Sequence, residues 1–111
     1  MEINFRSIGV AREIINESGL EITYAYDDLL FIENSILIMK FNDEKPSVMG
    51  IYFSTECDKD TGKDLFYKLK EAATQREINL ESLGRFSLRE DAENENVKIE
   101  FIEERGVFIN S

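Results

Sequence analysis

The stretch Leu20–Ser54, LEITYAYDDLLFIENSILIMKFNDEKPSVMGIYFS, constrains the fold more than any other part of the chain. It is a series of short apolar segments separated by polar turn residues, the pattern of an antiparallel meander at the centre of a sheet. Leu20, Ile22, Tyr24 and Tyr26 alternate with Glu21, Thr23 and Ala25, and successive strand side chains point to opposite faces. Asp27-Asp28 then reads as a turn or bulge, because short acids bond their own backbone. Leu29–Glu33 is the second run, and Asn34-Ser35 links it to Ile36–Phe41 closely enough for a tight hairpin. The break Asn42–Ser47 contains the only proline of the chain, which donates no ladder hydrogen bond and so belongs in a loop. Val48–Ser54 closes the meander.

Both faces of this sheet read as apolar. Leu37, Met39 and Phe41 line one face of Ile36–Phe41, while Ile36 and Ile38 line the other until Lys40 interrupts it. In Val48–Ser54 the two sets are Met49, Ile51, Phe53 and Val48, Tyr52. A sheet with one solvated face alternates apolar with polar. This one does not, so something must cover its second face.

Few helices are at hand to do so. Phe5–Ser18 has Ile8, Ala11 and Ile15 on one stripe, widened by Val10 and Ile14. Asn4 or Ser7 suits its start, and Gly19 suits a left-handed C-terminal residue. Gly9 inside it fits either close approach to the sheet, the favoured reading, or a helix that starts later. The second helix runs from about Thr61 to Arg76, with Leu65, Phe66, Leu69, Ala72 and Ala73 as a continuous core stripe. Asp60 or Thr61 caps it, and Thr61 with Asp64 approximates a capping box. A final hairpin pairs Phe86 and Leu88 with Val97, Ile99 and Phe101 around the solvated polar loop Glu90–Asn96. Arg105–Ser111 is apolar enough to dock on a neighbour and too short to classify.

The expected fold class is therefore α+β: a mostly antiparallel sheet of five to six strands with two helices on one face, in one domain spanning 1–111. Strand order stays open, since alternation fixes faces and leaves pairing free. No run approaches the ~20 apolar residues of a spanning helix, and the N-terminus lacks the basic start and apolar centre of a secretory signal. The expectation is a cytoplasmic protein.

Charge and residue types narrow the function. The chain has 23 acids against 13 bases, for a net charge of −10. Phosphate neutralisation requires Lys and Arg, so nucleic acid is not the expected partner, and an anionic membrane would repel the chain. A basic protein partner fits. Histidine is absent, which removes the commonest general base and every imidazole-dependent triad. The single cysteine, Cys57, precludes an internal disulfide, and its acidic neighbours Glu56 and Asp58 disfavour the thiolate.

The segment Cys57–Asp64 approaches three motifs without completing any. Asp58-x-Asp60 opens like a calcium loop, but Leu69 stands where the closing Glu belongs. Thr61-Gly62-Lys63 is close to a phosphate loop, with Asp64 where Ser or Thr must bind magnesium. A strand followed by Asp58-x-Asp60 also fits paired acids for phosphoryl transfer, with Thr61-Gly62 in the reverse order. A polar strand-to-helix loop with a cap accounts for all of it. Asp27-Asp28, flanked by Tyr24, Tyr26 and Phe31, is the remaining acid pair, although adjacent strand residues point opposite ways.

In element order, size and charge the chain resembles the small acidic dimeric chaperones of bacterial secretion systems. Acidic immunity proteins that block a basic toxin are equally compatible. The first expectation is a non-enzymatic interaction module, homodimeric and chaperone- or immunity-like, with Tyr24, Tyr26, Tyr52, Ile36 and Ile38 as partner contacts on the uncovered face. It needs no cofactor. The second is a small metal-dependent hydrolase or phosphoryl-transfer enzyme centred on Asp58 and Asp60. The third is a carrier with a small molecule between sheet and helices.

Overall fold

A computed structural model of the protein describes residues 8–26, 28–42, 44–45, 47–91 and 96–106. The elements follow as α1 (Ile8–Glu17), β1 (Ile22–Tyr26), β2 (Leu29–Ile32), β3 (Leu37–Phe41), β4 (Val48–Ser54), α2 (Lys59–Thr74), β5 (Asn79–Asp91) and β6 (Asn96–Glu103). All six strands form one sheet in chain order. Short turns make neighbours antiparallel, whereas α2 carries the chain back so that β5 runs parallel to β4. The fold is α+β, with a mixed and mostly antiparallel sheet. No helix among the described residues is long and apolar enough to cross a membrane.

The helices lie on one face, the near face. Ala11, Ile14 and Ile15 of α1 and Phe66, Leu69, Ala72 and Ala73 of α2 bury against Leu30, Ile32, Leu37, Met39, Met49, Ile51, Phe53 and Leu80. Each large aliphatic or aromatic side chain buried this way contributes about 1.5–3 kcal/mol relative to exposure. The sets Leu37/Met39/Phe41 and Met49/Ile51/Phe53 share this core, as their alternation implies.

Helix ends set the remaining geometry. Gly19, at φ 79°, ends α1: the Leu20 N–H bonds the Ile15 carbonyl and the Gly19 N–H bonds that of Asn16, both at 3.0 Å. Gly9 needs a different account from the expected one. Nothing lies within 4 Å of where its Cβ would sit, so it is an exposed first-turn residue and close packing does not explain it. The expected caps Asn4 and Ser7 fall outside the described residues. Helix α2 starts at Lys59, two residues before the expected Thr61, because the Asp58 carboxylate accepts the Thr61 N–H at 3.1 Å. In the turn just after α2, Arg76 reaches Glu17 at 2.7 Å and Glu13 at 3.2 Å, tying the end of α2 to α1.

The last hairpin is longer than its alternation implies. β5 begins at Asn79, and a bulge leaves Leu83 unpaired between Ser82, opposite Ile51, and Gly84, opposite Tyr52. That extra residue breaks the period of two and hides the first half of the strand. The expected loop Glu90–Asn96 is shorter too, since Asp91 pairs with Asn96. Residues 92–95 and 107–111 lie outside the described residues.

Two backbone positions yield a paired prediction. Glu77, at φ 58°, ends α2 where glycine is favoured, with the Ile78 N–H on the Ala73 carbonyl at 2.9 Å. Glu77→Gly should raise stability by about 1 kcal/mol in urea denaturation. Gly84 has φ 153°, and a Cβ there would overlap the Ile102 carbonyl oxygen. Gly84→Ala should lower stability by about 2 kcal/mol or more in the same assay.

Candidate interaction surface

The far face, opposite the helices, begins with an irregularity in β1. Ile22 pairs with Ile32 and Tyr24 with Phe31, so Thr23 is an extra residue. Its hydroxyl accepts the Asn34 N–H at 2.7 Å, and the Glu21 N–H donates to the Glu33 carboxylate at 3.0 Å. These bonds tie β1 to the turn Glu33–Ser35, whose three residues all have φ between 49° and 67°. The bulge reverses the strand: Ile22 packs on the helix-side core, whereas Tyr24 and Tyr26 emerge on the far face. A uniform alternation would have kept all three together.

Tyr24 and Tyr26 stack at 6.5 Å with 11° between their planes, and Tyr24 meets Phe31 edge-on at 5.8 Å. Both remain largely in solvent, at 58% and 61% exposure. They border a second apolar cluster of Leu29, Phe31, Ile38, Tyr52 and Phe86. Leu83 lies over Gly50, and the Phe101 ring sits 4.6 Å from Tyr52. The second apolar face is therefore real, but its centre is out of solvent within a single chain.

The expected contact residues consequently separate. Tyr24 and Tyr26 are exposed, whereas Ile38 and Tyr52 are at 0% and 3% exposure and offer a partner almost no surface in this conformation. Ile36 does not share the face of Ile38. It precedes β3, in the turn that follows the left-handed run, and packs against the helix-side core. Sequence reasoning passed over the exposed Leu88 and Phe101 as surface, since alternation marks them only as hairpin residues.

At one end the far face becomes polar. The Tyr52 hydroxyl donates to Glu103 at 2.6 Å, and burial together with that bond and the carboxylate charge pushes the phenol well above its ordinary value. Beside it a cleft of about 460 Å³ is lined by Asp28, Lys40, Glu81, Glu103 and Arg105, with Arg105 on Glu81 at 3.4 Å. Lys40, visible in the sequence as the one charge in β3, marks its floor. Asp27 lies outside the described residues, so the acid pair Asp27-Asp28 has no geometry to describe.

Asp58 and Asp60 occupy the start of α2. The Asp58 carboxylate is engaged as the helix cap, and the hydrogen bonds from Thr61 hold it below the usual carboxylate range. Among the described residues no three His, Cys, Asp or Glu side chains cluster as a metal site. Burial, then the Asp58 charge, pushes the half-buried Cys57 thiol up, away from the nucleophilic form. Between sheet and helices, where a carried ligand was expected, Leu37, Met39, Ile51, Phe53 and Leu69 fill the layer at 0% exposure. Compared with protein-family models, curated proteins and solved structures, the chain matches none of them.

The Tyr52–Glu103 bond has a pH signature. A phenol whose value is raised in the folded state keeps its proton while the unfolded chain loses it, so stability is intact below pH 10 and falls above it. Tyr52→Phe should cost about 1 kcal/mol at neutral pH and flatten part of the alkaline fall, as read by unfolding midpoints across pH 8–11.

Proposed function

We propose that the protein is a non-enzymatic interaction module that works as a homodimer and holds a protein partner at the margin of its far face. The observation that carries this reading is the exposed, stacked pair Tyr24 and Tyr26 on an uncharged outer strand. The chain as a whole carries a net charge of −10. Aromatic side chains supply large contact area at low entropy cost, and in this chain they adjoin apolar Phe31 and Leu29. The acid excess favours a basic partner by long-range steering, which salt weakens. We place the module in the cytosol, where a lone cysteine stays a thiol.

A Tyr24→Ser/Tyr26→Ser double variant tests the reading. Both side chains are mostly exposed, so the unfolding midpoint should move little, within about 0.5 kcal/mol per site. In a pull-down from native cytosol, the double variant should lose the proteins that the native chain retains. Equal retention by both proteins would remove the reading.

A further inference from the structure

We propose that β1 is a self-pairing edge: two copies join antiparallel through Ile22–Tyr26, with Ala25 on the two-fold axis, continuing one sheet into the other. The inference rests on the interaction-module reading and names the surface that makes the dimer.

The argument begins with what each edge of the sheet displays. β1 has a single sheet neighbour, β2, so its outer side presents main-chain groups with no strand alongside among the described residues. Natural sheets protect such an edge with charge, especially Lys. The opposite edge, β6, does so with Lys98, Glu100 and Glu103. β1 reads Ile-Thr-Tyr-Ala-Tyr, with no charge and with residues that favour strands. About a third of the chain is charged, so a bare, strand-prone edge stands out.

Register then selects the axis. Centring the pair on Ala25 places Tyr24 of each copy opposite Tyr26 of the other, on the same face, as a continuous row of four rings. Centring on Tyr24 would instead set Ile22, on the helix side, against Tyr26, on the far face, a mismatch of faces that the Thr23 bulge creates. A two-fold perpendicular to the sheet keeps the helices of both copies on one side and the tyrosines on the other. The contact is short, and the Thr23 bulge shortens its regular part, so the dimer is of the weak, reversible class.

Light scattering across roughly 1–500 μM, a span that brackets weak association, should show a concentration-dependent dimer for the native chain. Ala25→Glu places like charges face to face on the axis and should raise the dissociation constant roughly tenfold or more, while Ala25→Thr should leave it unchanged or lower. Circular dichroism serves as the folding control. In a Cys57→Ser background, Ala25→Cys should give a covalent dimer under mild oxidation, and Lys98→Cys on the opposite edge should not. A monomer at every concentration overturns the inference. So does a dimer that ignores Ala25→Glu and fails to cross-link at position 25. If Ala25→Glu abolishes capture of another protein by a monomeric chain, the edge takes a foreign strand, and the inference fails while the interaction-module reading stands.

Discussion

Packing of α1 and α2 against the near face of the sheet is the contact on which the rest of the molecule depends. It takes Leu37, Met39, Ile51 and Phe53 out of water and decides which face remains for other uses. The two helices cover one side of a six-stranded layer. On the other side the sheet relies on its own long side chains, with Leu83 over Gly50 and Phe101 over Tyr52. This shields the centre and leaves tyrosines at the border. An apolar side that is sealed in the middle and open at the rim differs from the broad exposed surface that two-sided alternation alone implies.

Much of this was legible in the sequence, and the failures share a cause. Regular alternation in β3 and β4 placed Leu37, Met39, Phe41, Met49, Ile51 and Phe53 correctly on one face. The stripe Leu65–Ala73 located α2, and Gly19 located the end of α1. Errors arose where one inserted residue shifts the period. Thr23 moved Tyr24 and Tyr26 away from Ile22, Leu83 concealed the first half of β5, and the left-handed run before Ile36 put that residue on the helix side. Bulges carry no compositional mark of their own, because any residue can be the extra one. Pairing partners such as Tyr52 and Glu103 lie far apart in sequence, and no local pattern joins them.

The acidic segment before α2 shows how a capping signal imitates chemistry. Short acids, Thr and Gly beside a strand serve calcium loops, phosphate loops and helix starts alike, since each use needs compact oxygens and a sharp turn. The geometry separates them here. Asp58 spends its carboxylate on the Thr61 N–H, and the neighbouring thiol is held in its protonated form. An ordinary helix start accounts for these residues without a bound ion.

The parallel join of β4 to β5 has a kinetic consequence. Strands β1–β4 and the β5–β6 hairpin are each built from neighbours in sequence, so each requires little loop closure. Their union instead matches Val48 with Asn79 and Met49 with Leu80 across the whole of α2. The chain thus consists of two locally wired pieces joined by one non-local seam, the pairing that carries the largest loop-closure cost in the sheet.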